Sequence, residues 1–355
     1  MSTLKVDSIE NGGAAVNFTT NVQVGDGFVK REYTSSATAP VGASNGALWW
    51  DTGNSALKIN LNGLWYEITQ YFPPIWYGSR GLFGGGDGNT NVIEYVTIAT
   101  PGNATDFGDL TLGRSTLAAC SDGTYGLFGG GLRIINRDII DYVTIATPGN
   151  AVDFGNLTAA TKLLGSCSDG IYGIFGGGRT TNNSNVIDYV TIATPGNAVD
   201  FGDLTVARES LTACSDATYG LFGGGWIVNT IDYVTIATPG NAVDFGDLTI
   251  ARSAPAACSS VTYGLFGGGY DGTRLTTIDY VTIQTPANAA DFGDLTVGRS
   301  SAAACSNGTY GLFGGGTTNA TQNIIDYVTI ATPGNAVDFG DLTAAKEQAG
   351  SCSGD

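Results

Sequence analysis

Six copies of one segment dominate the chain. Gly-Leu-Phe-Gly-Gly-Gly, once with Ile for Leu, recurs with its phenylalanine at Phe83, Phe128, Phe175, Phe222, Phe266 and Phe313, in steps of 45, 47, 47, 44 and 47 residues. Tyr-Val-Thr-Ile follows each copy, starting at Tyr95, Tyr142, Tyr189, Tyr233, Tyr280 and Tyr327. Asp-Phe-Gly-(Asp/Asn)-Leu-Thr comes next, starting at Asp106, Asp153, Asp200, Asp244, Asp291 and Asp338. One cysteine completes each unit, at Cys120, Cys167, Cys214, Cys258, Cys305 and Cys352. A repeat of this kind governs the fold, because each unit buries its apolar faces only against its neighbours.

Each unit reads as four short strands. Around the third copy they fall near residues 163–168, 172–176, 186–193 and 198–204. Ser-Asp-Gly turns separate the first from the second, and Thr-Pro-Gly-Asn the third from the fourth. Runs such as Val190-Thr191-Ile192 are apolar on both sides, as in a strand covered on both faces. A parallel β-helix is also periodic, but with coils roughly half this length; about 45 residues per four-stranded unit is the range of a β-propeller blade. The sequence thus predicts an all-β fold, a six-bladed propeller over residues 71–355 behind a small β-rich module over residues 1–70.

Composition narrows the chemistry. The net charge of −17 repels phosphate backbones and anionic membrane surfaces, so nucleic acid is not an expected partner. The absence of histidine removes the commonest general base and metal ligand and any Ser-His or Cys-His nucleophile. No apolar run approaches the ~20 residues of a membrane helix. The opening Met1-Ser-Thr-Leu-Lys-Val-Asp lacks the features of a secretory signal. A soluble protein made in a cytoplasm is expected, leaving the cell by a route other than ordinary secretion if it acts outside.

The second strand ending in glycines, then the third strand, an aromatic-x-x-Leu and a basic residue together resemble the kelch repeat. The aromatic is Phe107, Phe154, Phe201, Phe245, Phe292 or Phe339, where kelch repeats usually carry tryptophan. The basic residue lies six before each cysteine: Arg114, Arg208, Arg252, Arg299 and Lys346, with Thr161 departing. Kelch analogy makes the cysteine strand innermost, with the cysteines as buried small side chains. The array starts at a second strand and ends on a surplus first strand, 350–353, which predicts that the C-terminus completes the first blade. The competing candidate is 74–77.

Residues 1–70 share none of the repeat. The run 40–52 into 57–67, with Trp49, Trp50, Trp65 and Tyr66, resembles the small β-meander of bacteriophage tail-fibre and virion structural proteins. The first seven residues and the Ile-Asp-Tyr-Val-Thr-Ile-Ala-Thr-Pro-Gly-Asn-Ala-Val-Asp-Phe-Gly-Asp-Leu-Thr unit resemble such proteins of marine cyanobacterial phages. The resemblance implies a virion location, a host cytoplasm as the place of synthesis and attachment to other virion proteins through the N-terminal module. A segment of this size makes a marginal core alone, so a homo-oligomer, a trimer by preference, is expected.

The paired acids of Asp-Phe-Gly-Asp occur six times, with Asn156 in one, so a structural role in turn bonding is preferred to catalysis. Weak Ca2+ binding stays open, and no other cofactor is expected. Copies diverge after the glycine run and between Leu-Thr and Cys-Ser. If the strands alternate in direction, both divergent connections open on one face. That face would carry Arg133, Arg137, Arg179, Asn183, Trp226, Tyr270, Asp271 and Arg274, with Asn182 and Asn319 nearby. Planar polar groups beside aromatics suit sugar recognition. The expected function is a non-enzymatic phage tail or other fibre displaying a glycan-binding propeller face to a host receptor. The alternative is a purely structural or decorative virion component.

Overall fold

The computed structural model describes residues 78–354 continuously. Before them it describes residues 38–40, residue 47 and the backbone of eight short strands. The chain divides into two compact units, Met1–Phe72 and Pro73–Asp355. In the first, Tyr33–Ser36, Leu48–Asp51, Ala56–Leu61 and Leu64–Glu67 form one sheet, its first pair parallel and the others antiparallel. Trp49 is buried there, with the Lys58 ammonium 5.1 Å from its ring centre. The side chains of Trp50, Trp65 and Tyr66 lie outside the described residues, as does segment 74–77.

The second unit is a six-bladed β-propeller. Each blade is a four-stranded antiparallel meander. In the second blade Ala118–Ser121 is innermost, followed outward by Tyr125–Gly129, Ile139–Thr144 and Val152–Asn156. The innermost strand of the first blade is Gly350–Gly354, paired antiparallel with Arg80–Gly84 so that Cys352 faces Leu82. Among the described residues the only helical element is a single 3-10 turn, Asp87–Asn89.

The core lies between blades. Each of six apolar clusters joins two neighbours; one unites Leu127, Ile140 and Phe154 of the second blade with Phe175, Val190 and Ile192 of the third. Another unites Phe83 and Ile98 of the first with Leu312 and Phe339 of the sixth, closing the ring. Leu and Phe side chains at these places are fully buried, each worth roughly 1.5–3 kcal/mol.

Two invariant glycines follow from this packing. A Cβ on Gly173 would come within 2.7 Å of Cys120 Sγ in the preceding blade, and one on Gly84 within 2.6 Å of the Phe128 ring in the following blade. Each interface therefore interlocks a thiol and a phenyl ring into two side-chain-free places. All six cysteines are free and buried. The serine after the cysteine adds a girdle: Ser168 Oγ donates to Ser121 O at 2.5 Å and Ser215 Oγ to Ser168 O at 2.7 Å.

The Asp-Phe-Gly-Asp motif works differently from the turn bonding expected of it. The pairing of the third and outermost strands skips Phe107, setting Ile93 opposite Gly108 and Glu94 opposite Asp106. That bulge turns Phe107 into the core, where it is 2% exposed. The backbone N–H of the second acid, not its carboxylate, makes the recurrent bond. Asp203 N donates to Asn241 Oδ1 at 3.1 Å, and the Asn of each Pro-(Gly/Ala)-Asn turn clamps the preceding blade likewise. Asx turning belongs to the Ser-Asp-Gly turns, where Asp122 Oδ1 accepts from Thr124 N and Tyr125 N.

Candidate functional site: the variable loop face

Because consecutive strands are antiparallel, the connections after the glycine run and those between blades open on one face. Their backbones bridge: Ser115 pairs with Leu132, Lys162 with Arg179, Ser253 with Tyr270 and Ser300 with Thr317. Inside them a ring of backbone hydrogen bonds circles the axis. Thr116 N donates to Gln348 O, Gln348 N to Ser301 O, Ser301 N to Ala254 O, Ala254 N to Ser210 O, Ser210 N to Leu163 O and Leu163 N to Thr116 O, all at 2.7–2.9 Å. All six residues are left-handed, with φ between 50° and 60°, and none is glycine. Such conformations cost about 1–2 kcal/mol each, and the cyclic bonding holds them there.

The axis carries little chemistry. A cavity of about 120 Å³ at its mouth is lined by this ring, by Leu117, Leu164, Leu211 and Pro255, and by small residues of the inner strands, with no charged side chain. Burial pushes the cysteine thiols alongside well above their ordinary pKa, so they stay protonated.

The eight expected binding residues all lie in the loops between second and third strands, in the second to fifth blades. Trp226 stands 63% exposed and Tyr270 37%, with the Arg274 guanidinium 5.7 Å from the Tyr270 ring centre. Arg133 and Asn183 are exposed. Three more of the residues are engaged within the chain. Arg179 pairs with the buried Glu209 at 3.1 Å. Arg137 donates to Arg133 O at 3.3 Å. Asp271 Oδ1 accepts from Thr273 N at 2.9 Å and Thr273 Oγ1 at 3.0 Å, bonds that hold its pKa below the usual carboxylate value.

The sequence reading missed Ile134, 91% exposed, and Ile227, both at loop tips of this face. Their φ values are 65° and 59°, a region β-branched residues rarely occupy. No periodicity marks such residues, though their apolar character within divergent loops was readable.

It also missed the partners of the recurrent basic residue. Arg114 Nη1 meets Asp141 at 2.8 Å, Arg208 meets Asp232 at 2.8 Å and Arg299 meets Asp326 at 3.0 Å; Arg252 pairs with Asp279 and Lys346 with Glu94. Every pair is buried, and each acid immediately precedes the tyrosine of Tyr-Val-Thr-Ile. The one lysine meets the one glutamate. That matched exchange, a shorter reach for the nitrogen with a longer one for the acid, was the available signal. In the third blade Thr161 replaces the base, and Asp188 is bonded only by Thr158, at 2.9 Å from N and 2.7 Å from Oγ1.

No family model matches the chain, and no curated protein does. The propeller geometry and the two faces therefore carry the functional argument.

Proposed function

We propose that the chain is a structural protein of a bacteriophage virion, a tail or other fibre, whose propeller offers its variable face to a host-surface glycan. The observation that carries the reading is the exposed Trp226, beside Ile227 in a left-handed conformation. Strain at a loop tip that buries nothing of its own has no folding benefit and is typical of binding sites. The opposite face, in contrast, uses its asparagine turns to clamp blades. An indole offers a flat apolar surface to a sugar ring, and Arg133 and Arg274 offer forked donors to acidic groups. The resemblance of the N-terminal residues to phage fibre proteins supplies the context, in which that module joins other virion proteins and trimerises.

A glycan array probed with purified protein tests this. Binding to a defined sugar class that is lost in Trp226→Ala and Tyr270→Ala, with unchanged melting, is the expected result. A blank array, together with undiminished adsorption of phage carrying both substitutions, would favour the decorative reading.

A further inference from the structure

The third blade keeps a cradle whose cation is missing. In the second blade, three nitrogens of one guanidinium meet three acceptors: Arg114 Nη1 donates to Asp141, Nη2 to Phe128 O at 2.9 Å and Nε to Gly130 O at 2.8 Å. The same oxygens recur elsewhere, with Arg208 on Phe222 O, Arg299 on Phe313 O and Arg252 on Gly268 O. Counting from Thr161, the corresponding acceptors are Asp188, Phe175 O and Gly177 O. All three residues line a cavity of about 170 Å³, well above the ~15 Å³ that one water needs. The Thr161 hydroxyl does not serve them, since it donates to Ala159 O at 3.0 Å. Thr158 and Ala159, at the rim, are exposed, so the cavity is reachable from solvent.

We propose that this cavity binds a guanidinium group supplied from outside the chain, held by the Asp188 carboxylate and the carbonyl oxygens of Phe175 and Gly177. The acid itself argues for guanidinium over ammonium. Aspartate faces arginine in four blades, while the one lysine is met by glutamate; the third blade has the aspartate. A planar fork also suits acceptors placed for separate N–H groups, which a compact ammonium does not match. A hard divalent metal takes six or more oxygen ligands, and among the described residues no group of three metal-ligating side chains occurs. Burial raises the Asp188 pKa against the Thr158 bonds, the state of a carboxylate whose counter-ion is absent. This site does not depend on the glycan reading of the loop face.

The test is titration of the full chain with N-methylguanidine, followed by ligand-observed NMR and by thermal midpoint. Wild type should show saturable binding and a raised midpoint. Thr161→Arg, which supplies the cation from within as five other blades do, should abolish both, as should Asp188→Asn. Methylammonium should bind at least tenfold more weakly. A blocked Gly-Arg-Gly peptide separates the sources: competition with N-methylguanidine points to an arginine on a partner chain, and none to a free small molecule. No saturable binding to wild type would mean that water alone fills the cavity, and equal binding to wild type and Thr161→Arg would place the ligand elsewhere; either result would overturn the proposal. Equal binding of methylammonium would overturn it as well.

Discussion

Thr116 N donates to Gln348 O at 2.8 Å, joining residues 232 positions apart across the seam of the ring. The C-terminal segment is thus tied to the start of the ring both by this bond and by the pairing of Gly350–Gly354 with Arg80–Gly84. Removing residues 347–355 takes away both, together with Cys352 and its contact to Gly126. We expect loss of the cooperative thermal transition, or a midpoint lowered by more than 10 °C, in circular dichroism. An unchanged midpoint would mean that another segment completes the first blade.

The buried ion pairs predict a coupled exchange. Arg299→Met leaves Asp326 buried without its cation and should cost about 3–5 kcal/mol in denaturant unfolding. Arg299→Lys alone should also destabilise. Adding Asp326→Glu rebuilds the Lys346–Glu94 pair of the first blade and should recover part of the loss. A double-mutant cycle with no coupling between the two sites would refute this.

Burial raises every cysteine thiol above its unfolded value. For a group raised in this way the stabilisation is complete below the unfolded pKa, about 8.5, and is lost as pH rises beyond it. Unfolding midpoints should therefore fall between pH 8.5 and 10.5, with a shallower fall in Cys258→Ala. Thiol labelling at pH 8 should proceed only at the rate of global opening, and fast labelling of native protein would contradict the burial.

Asp188 obeys the same sign. Burial, the largest influence, and Asp200 nearby raise its pKa, while the Thr158 bonds lower it. Folding thus favours the protonated acid: its contribution is full below the unfolded value near 3.9 and is lost as pH rises past the folded one. Asp188→Asn should leave stability at pH 7 equal or raised by up to ~1 kcal/mol, the gain vanishing near pH 3. The equivalent Asp232→Asn, which deprives Arg208 of its partner, should destabilise at pH 7. Chemical denaturation at the two pH values compares them.

The two faces should separate by mutation. Asn241→Ala removes the acceptor for Asp203 N and should cost about 1 kcal/mol of stability while leaving intact the glycan binding proposed for the opposite face. Trp226→Ala should leave stability within about 0.5 kcal/mol. Loss of stability in the tryptophan variant alone would reverse the assignment of the faces.

Much of this fold was legible because repetition converts weak signals into strong ones. The period, the four strands per unit and the surplus strand at Cys352 needed only counting. The ion pairs were less visible, since Arg114 and Asp141 lie 27 residues apart and each looks like ordinary surface charge. Their link showed only as a correlation among copies, with Lys346 and Glu94 as its clue. The acids of Asp-Phe-Gly-Asp misled because a recurrent carboxylate invites a carboxylate role, whereas the recurrence belongs to Phe107, Gly108 and a backbone N–H. For the loop face, sequence located the loops but not their internal bonds, so Arg179 read as a free cation although Glu209 neutralises it.

The closing strand has a mechanical meaning. Gly354 lies opposite Arg80, so the two ends of the ring leave the first blade side by side. A pull between them would open the ladder one rung at a time, as a zipper, and never load its five rungs together. Tension entering at one end and leaving through the loops would instead be shared with the interlocked blades. A propeller clasped in this way withstands load between one end and its loop face far better than load between its two ends.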